Sequence, residues 1–379
     1  MTSSPTSQPP LQSPASQSSP EHLRQTCAAR RERLRRSVRA RGLDALLVSR
    51  APNRYYLSGF ELHDPQPNES AGCLVIAADG RDKLATDARY QDAAARLWPV
   101  EDICIYGADA PATIAALLRG SGCRIGIEAK GVSLDFARAL GRAGRGIWLE
   151  AADGLVENLR RIKDSDEIAA LERSFALNHQ LMRWVEGELH PGRSEVDLAW
   201  AIERFFRENG AQELAFASIV AVGSNAALPH AIPGASRIAE NCPVLIDVGC
   251  RMDDYCSDQT RTFWVGDRPT PEFSRTLALV REAQEAALHA LRPGLPLAEA
   301  YRLARDVFEK AGVAAAFTHG LGHGVGLETH EAPSLSPRAQ GILEAGMTVT
   351  VEPGLYYPQW GGVRWEYTVL IEENGARIL

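Results

Sequence analysis

The sequence has no apolar run long enough to cross a membrane, so no transmembrane helix and no membrane partner are expected. Its seven cysteines are scattered and odd in number, with no Cys-x-x-Cys pair. A thiolate–zinc site would need more sulfur at closer spacing, and isolated thiols are typical of a reducing compartment. The first twenty residues carry no charged side chain and lack the basic start and apolar centre of a secretory signal. We therefore predict a cytoplasmic protein.

Basic residues are also fewer than acidic ones. The chain carries 41 Lys and Arg against 48 Asp and Glu, a formal net charge of −7, which argues against a nucleic-acid partner. Its 379 residues, of which 45% are apolar and 23% charged, have ordinary globular composition and suffice for two or three domains.

Composition and periodicity divide the chain into three parts. Residues 1–20 are rich in Ser, Pro, Gln and Thr and predict a disordered tail. Residues 21–155 alternate helices and strands, which predicts an α/β domain. Residues 156–379 are strand-rich with interspersed helices, which predicts an α+β domain. The predicted helices are 21–41, 88–97, 133–142, 163–188 (with Ser165 as N-cap), 195–209, 271–291 and 297–310. The predicted strands are 45–49, 72–77, 124–127, 215–222, 243–248, 259–265, 348–351 and 365–371.

Five residues in the last part have the chemistry of a metal site. They are Asp247 in Leu-Ile-Asp-Val-Gly, Asp258 in Cys-Ser-Asp-Gln-Thr, His323 in Gly-Leu-Gly-His-Gly, Glu352 in Val-Glu-Pro-Gly and Glu366 in Arg-Trp-Glu-Tyr. Four carboxylates with one imidazole suit two hard or borderline divalent ions. Two such ions can generate hydroxide and stabilise a tetrahedral intermediate, so the set indicates hydrolysis.

The spacing of these residues predicts how they meet. Asp247 closes the apolar run 243–246 and Asp258 lies on the next strand, before Thr260, so a hairpin with Asp253 and Asp254 at its tip would bring both acids to one wall. Two buried carboxylates side by side are costly without a cation. Glu366 follows Arg364 by two residues, so on a strand both side chains would share a face.

Three further histidines lie near the five residues in sequence. His319 begins the glycine-rich segment that contains His323, and His330 follows seven positions after His323. On its own, His319 could equally support the site or simply pack. His230, in Leu-Pro-His-Ala-Ile-Pro-Gly, would alone be typical of a surface loop.

Taken together, these motifs resemble the pita-bread-fold metallopeptidases, the family of Xaa-Pro dipeptidase, Xaa-Pro aminopeptidase and methionine aminopeptidase. The resemblance covers nearly the whole chain after the tail. The Asn53–Phe60 and Ala85–Tyr90 segments are similar to the amino-terminal domain of the proline-specific branch, which methionine aminopeptidases usually lack. The implied fold is a creatinase-like α/β domain followed by an α+β pita-bread catalytic domain.

The resemblance implies a role for each residue. Asp247 would hold one metal, Asp258 and Glu366 would bridge two, and His323 and Glu352 would complete the second. Glu352 would also accept the proton of the attacking water. His330 would stabilise the oxyanion, with His230 as a further catalytic and substrate-binding histidine. His319 would line the substrate pocket, and Arg364 would support the acids or bind the substrate carboxylate.

The family resemblance also implies cofactors and partners. We expect two divalent ions per subunit, manganese or cobalt, with zinc as the alternative. The expected substrates are proline-containing peptides or dipeptides, and the expected assembly is a homodimer whose partner shapes the pocket. One residue departs from the pattern, because many relatives carry Asp after the bridging Glu where this chain has Tyr367. This predicts altered metal affinity or metal choice.

Other functions on the same fold stay open. One is hydrolysis of another C–N bond, as in creatinase or ectoine-derivative hydrolases, although creatinase-type members dispense with metal and lose the ligand acids. Another is a non-catalytic binding scaffold. Neither the metal ligands nor the rest of the sequence distinguishes a dipeptidase from an aminopeptidase.

Overall fold

The structure is a computed structural model that describes residues 19–66 and 69–379. The chain forms two compact units, the first ending at Leu159 and the second beginning at Arg160. Residues 1–18 of the predicted tail lie outside the described residues. Its last two residues belong to the first helix, with Ser19 as the N-cap and Pro20 as the first helical residue. No helix in the described ranges combines the length and the apolar character that a membrane crossing needs.

The first unit is built on a single mixed sheet. Its helices are α1 (Pro20–Ala40), α2 (Ala51–Ser58), α3 (Gln91–Leu97), α4 (Ala110–Ser121) and α5 (Leu134–Ala143). The short helix α6 (Glu157–Arg160) contains the boundary between the two units. Its strands are β1 (Ala45–Val48), β2 (Cys73–Ala77), β3 (Lys83–Thr86), β4 (Ile103–Ile105), β5 (Arg124–Ile127) and β6 (Trp148–Ala151). The strand order is β4-β3-β2-β1-β5-β6, with β1 antiparallel to β2 and parallel to β5.

Both faces of this sheet are buried at its central strand β1. Ala45 and Leu47 of β1 pack in one apolar cluster with Ile114 and Leu118 of α4. Leu46 points to the opposite face, as alternation along a strand requires, and is also fully buried. A sheet covered on both faces is the α/β arrangement predicted for this part of the chain.

The second unit contains four long helices and several small sheets. Its helices are α7 (Ser165–Glu186), α8 (Glu195–Glu208), α9 (Pro271–Leu288) and α10 (Leu297–Lys310). Its strands are β7 (Glu213–Leu214), β8 (Ile219–Val222), β9 (Cys242–Val248), β10 (Cys250–Met252), β11 (Tyr255–Cys256), β12 (Gln259–Val265), β13 (Gly322–Gly324), β14 (Glu331–Leu335), β15 (Thr348–Val351), β16 (Gly354–Tyr357), β17 (Gly361–Arg364), β18 (Tyr367–Glu372) and β19 (Gly375–Ile378).

Two helix pairs cover two sheets in this unit. Leu181 of α7 and Leu198 of α8 share a core with Ile246 of β9, in the sheet of order β12-β9-β8. Residues of α9 and α10 share a second core with Val349 of β15 and Val369 of β18, in the sheet of order β14-β13-β15-β18-β19. This agrees with the α+β organisation that the strand-rich sequence indicates.

Three local predictions were wrong. Asp164, not Ser165, is the N-cap of α7, because its side chain accepts hydrogen bonds from the N–H groups of Asp166 and Glu167. The predicted strand 215–222 is broken, since only 219–222 pairs with β9, as β8. The predicted strand 365–371 begins at Tyr367, so Glu366 lies between β17 and β18 and not on a strand.

Candidate metal centre

Two antiparallel strands deliver Asp247 and Asp258 to one wall. In the β9–β12 ladder, Asp247 lies opposite Thr260, two residues after Asp258. Between these strands β10 and β11 form a short hairpin, and its tip residues Asp253 and Asp254 have positive φ values of 48° and 70°. The predicted hairpin is therefore present, with Asp253 and Asp254 at its tip.

The other three residues come from the opposite sheet and its flanks. His323 lies on β13, between β14 and β15, and Glu352 directly follows β15. The N–H of Glu352 donates to the carbonyl of Leu321 at 2.9 Å. A side chain at Gly322 would collide with the backbone of Thr350, so glycine there lets β13 approach β15 closely.

The five predicted residues meet at one place. One carboxylate oxygen each from Asp247, Asp258 and Glu366 lie within 4.8 Å of one another. Nε2 of His323 is 3.2 Å from Oε1 of Glu352 and 3.7 Å from Oδ2 of Asp258. The structure thus brings four acids and one imidazole together, and all of them except the buried Glu366 line a single cleft.

Two threonine hydroxyls orient the acids. Thr260 donates to Oε2 of Glu366 at 2.8 Å, and Thr350 donates to Oε1 of Glu352 at 3.0 Å. Both threonines lie two positions from a site acid on an extended segment, Thr260 after Asp258 and Thr350 before Glu352. Strand alternation could have identified them from the sequence.

The acids repel one another in the protein alone. Burial, followed by the charges of neighbouring carboxylates, raises the pKa of Asp258 well above its usual range and that of Glu366 to about 8. Burial opposes the charged form of His323, but its hydrogen bond to Glu352 prevails and its pKa rises to about 9. Its Nδ1 lies 3.1 Å from the carbonyl of Gly324, which directs Nε2 toward the acids.

The donor set fits divalent cations. Oδ1 of Asp247 and Oε1 of Glu366 are buried and have no hydrogen-bond partner among the described residues. Buried polar atoms are normally satisfied, so oxygens left without a donor beside further carboxylates are suited to a cation. The oxygen-rich set with one imidazole is compatible with manganese, cobalt or zinc.

The acids open into a cleft of about 530 Å³. Its walls include Phe216, Ser218, Ile219 and Ile232, all absent from the sequence-based site. Phe216 and Ser218 lie where the predicted strand 215–222 is broken, so the break itself forms part of the cleft.

His230 and His330 are exposed residues that line the same cleft. The His330 ring meets the His323 ring edge to face, with centroids 4.2 Å apart. Although the residue is exposed to the cleft, partial desolvation of its ring by the surrounding protein, and then the neighbouring His323, lowers the pKa of His330, so a neutral imidazole is favoured at neutral pH. Both histidines are placed to reach a molecule held beside the acids.

Arg364 and His319 are joined through Tyr356, which the sequence reasoning missed. Arg364 donates to Oδ2 of Asp247 at 2.7 Å and to the Tyr356 hydroxyl at 2.9 Å. The Tyr356 hydroxyl is 2.8 Å from Nε2 of His319, whose Nδ1 is 2.7 Å from the carbonyl of Gly320. Arg364 therefore supports an acid of the site, and both ring nitrogens of His319 are engaged within the protein. Their contacts with substrate stay predictions.

Family models account for most of the chain. Residues 169–373 match the model described as metallopeptidase family M24, and residues 30–162 match the creatinase/prolidase N-terminal domain.

Individual relatives are similar over almost their full length. The Xaa-Pro dipeptidase of Pyrococcus horikoshii is 31% identical over 337 residues, 89% of this chain and 92% of the relative. The solved Xaa-Pro dipeptidase from Bacillus anthracis is 32% identical with a TM-score of 0.86, covering 93% of this chain and 97% of that one. The solved X-Pro aminopeptidase from Thermotoga maritima is 29% identical with a TM-score of 0.79, covering 90% and 97%. Relatives named for both types of exopeptidase thus share the fold.

Proposed function

The chain belongs to metallopeptidase family M24, and from this membership we propose that it is an exopeptidase that hydrolyses Xaa-Pro bonds. The comparisons confirm the predicted fold class, a creatinase-like α/β domain followed by a pita-bread domain. We also propose that residues 156–379 form the catalytic domain and residues 21–155 a separate one. A dedicated enzyme suits this bond because proline has no N–H and constrains the residue before it.

Membership in a metallopeptidase family implies divalent metal cofactors. We propose two ions per subunit, manganese or cobalt with zinc as the alternative, held by Asp247, Asp258, His323, Glu352 and Glu366. When bound, such ions supply Lewis acidity and lower the pKa of water. The observation that carries the proposal is the convergence of three carboxylates within 4.8 Å, two of them with buried oxygens that have no partner among the described residues.

The chain's own residues would handle the protons and the developing charge. Glu352, beside His323, is placed to take a proton from the attacking water and to pass it to the proline nitrogen as the bond breaks. His330, as a neutral imidazole, would donate its N–H to the carbonyl oxygen as negative charge develops there. His230, which lines the cleft, would be a further catalytic residue and would bind the same substrate. Arg364 would hold Asp247 in place.

The test compares substrates and one acid variant. The purified chain, loaded with manganese, should cleave Leu-Pro and spare Leu-Ala. Asp258→Asn should abolish cleavage while the circular dichroism spectrum stays unchanged. Asp267→Asn, at an exposed position after β12, is the matched control and should retain activity. A chain that binds no divalent metal and cleaves no Xaa-Pro substrate would refute the proposal and leave the C–N hydrolase and scaffold alternatives.

The preferred substrate length needs a separate measurement. Comparing Ala-Pro with Ala-Pro-Ala distinguishes a dipeptidase, which cleaves only the first, from an aminopeptidase, which cleaves the second. Names of the relatives favour proline-containing dipeptides for this chain. The homodimer also belongs to this proposal, and light scattering on the full chain would test it. The cytoplasmic location stays a prediction.

A further inference from the structure

Glu366 lies in the short break between β17 and β18, where no strand ladder holds its backbone. Its N–H donates to the carbonyl of Thr260 at 3.1 Å, and its own carbonyl accepts a hydrogen bond from Nη1 of Arg261. The same Nη1 donates to the carbonyl of Thr260 at 2.8 Å. One guanidinium group therefore ties the Glu366 peptide to strand β12.

Arg261 lies between the two aromatic rings that flank Glu366 in sequence. Its guanidinium carbon is 4.6 Å from the centroid of the Trp365 ring and 4.5 Å from that of the Tyr367 ring. A guanidinium over a ring face at these distances is attracted to it, more strongly when water is excluded. Arg261 is only 9% exposed, so these contacts are largely shielded from solvent.

This aromatic layer faces away from the candidate ligands. Glu366 is outside a strand, but its N–H and its carbonyl both bond to residues of β12, as in extended chain with alternating side chains, so we place Trp365 and Tyr367 on the side opposite the Glu366 carboxylate. The same alternation on β12 puts Arg261 on the side opposite Thr260, whose hydroxyl binds Oε2 of Glu366. Arg261, Trp365 and Tyr367 therefore pack against the side of the Glu366 backbone opposite its carboxylate, and none of the three lines the cleft.

We propose that Arg261 is a positioning residue for the Glu366 carboxylate, and that Tyr367 holds Arg261 through the face of its ring. Only the Thr260 hydroxyl is bonded to the carboxylate itself, since Oε1 has no partner among the described residues. The direction of Oε1 therefore depends on the Glu366 backbone, which Arg261 fixes. This inference rests on the proposed function, because it concerns the metal that Glu366 would hold.

Tyr367 is the ring to test, because Trp365 has a second cation. Arg281 lies over the Trp365 ring at 5.3 Å, so a change at Trp365 would disturb two arginines. Tyr367→Phe keeps the ring face and removes the hydroxyl, whereas Tyr367→Leu removes the ring. Arg261→Lys keeps the charge and loses the planar group that fits between two rings.

The measurement is the dissociation constant for Mn²⁺, by calorimetry on metal-free full-length chain. Loss of a partner behind a metal ligand typically weakens metal binding about 10- to 100-fold, and we expect about tenfold for Tyr367→Leu and for Arg261→Lys. Tyr367→Phe should bind Mn²⁺ more tightly than Tyr367→Leu, since the ring face remains and only the hydroxyl contact with Arg261 is lost. Tyr90→Leu is the matched control, because Tyr90 lies under Arg89 at 5.7 Å in the first unit.

The dissociation constant for Mn²⁺ distinguishes a residue that positions Glu366 from one that only stabilises the fold. A residue that only stabilises the fold would lower the unfolding temperature of the metal-free chain and leave the Mn²⁺ constant of folded protein unchanged. The inference is overturned if both Tyr367→Leu and Arg261→Lys bind Mn²⁺ like the parent. It is also overturned if Tyr367→Phe is as weak as Tyr367→Leu, which would assign the effect to the hydroxyl. A parent that binds no divalent ion contradicts the proposed function itself, and this inference with it.

Discussion

Single residues at the site fall into two groups by their contacts. Asp247, Glu352 and Glu366 are held by donors within the protein, from Arg364, Thr350 and Thr260 respectively. His230 and His330 are exposed to the cleft. Residues of the first group are suited to holding metal, and those of the second to meeting a substrate.

His330 provides a test of this division. Its ring packs against His323, yet none of the predicted ligand acids is hydrogen-bonded to it. His330→Ala should lower turnover of Leu-Pro about 10²- to 10³-fold, the typical loss for one donor to a developing oxyanion. Metal content, measured by elemental analysis, should stay near that of the parent.

The control for this variant is His190→Ala, an exposed histidine outside the cleft lining, which should change neither quantity. A loss of metal in His330→Ala would instead make His330 a ligand and reverse its assignment.

At the scale of elements, the sequence predicted most long helices and central strands within a few residues. Strand β12 has the predicted bounds, Gln259–Val265, and α10 has the predicted bounds, Leu297–Lys310. Both have strong local periodicity. The short strands β4, β6 and β13 were not predicted, because β4 and β6 are half-exposed edges and β13 is mostly glycine. Such strands are defined by their partners, which local sequence does not specify.

Site residues show the same limit. The acids and His323 have distinctive contexts, and the sequence alone identified them. Tyr356 and Arg261 were missed because their roles depend on distant partners, His319 and Glu366, which become neighbours only in the fold.

The start of α7 allows a paired test of the corrected N-cap. The Asp164 side chain accepts hydrogen bonds from two backbone N–H groups, and the Glu167 side chain accepts one from the N–H of Asp164. Asp164→Ala should lower the free energy of unfolding by about 0.5–2 kcal/mol. Ser165→Ala, at the exposed neighbouring position, should change it by less than about 0.5 kcal/mol. Urea denaturation followed by fluorescence would check both values, and equal losses would contradict the assigned cap.

Strand β14 begins at a buried ion-pair cluster. Glu331 accepts hydrogen bonds from Lys163, at 2.7 Å, and from Arg160, which also pairs with Glu328 at 2.9 Å. Burial opposes the charge of Glu331, but the two cations prevail and lower its pKa below the usual value. A carboxyl with a lowered folded-state pKa adds stability above its unfolded value of about 4.5, and this is lost as pH falls through the lower folded value.

Glu331→Gln should therefore have a pH-dependent effect. At pH 7 it leaves two buried cations short of an anion, and we expect a loss of about 3–5 kcal/mol in unfolding free energy. Below about pH 4.5 the difference from the parent should shrink, because the parent loses the same charge by protonation. Denaturation curves of metal-free protein between pH 3 and pH 7 would check this, and a difference independent of pH would contradict it.

At the scale of the whole molecule, metal binding and folding should be coupled. Without a cation the second unit buries carboxylates that repel one another, and the raised pKa values of Asp258 and Glu366 express that cost. An ion that binds only the folded state adds about 2.7 kcal/mol when present at 100 times its dissociation constant. For a unit of this size that corresponds to a rise in unfolding temperature of about 5–10 °C. Differential scanning calorimetry with EDTA and then with excess Mn²⁺ would measure it.

In metal-free protein, Asp258→Asn should stabilise the fold. A carboxyl whose folded-state pKa is raised above its unfolded value destabilises the fold increasingly as pH rises above that unfolded value. Removing the charge at Asp258 should therefore raise the unfolding temperature of the EDTA-treated chain at pH 7.5, although it abolishes the rise on adding Mn²⁺. Asp267→Asn should alter neither quantity, because this residue is exposed and lies outside the cleft lining. If Asp258→Asn instead lowered the metal-free unfolding temperature, the acids would not repel one another, and the physical argument for a cation between them would fail.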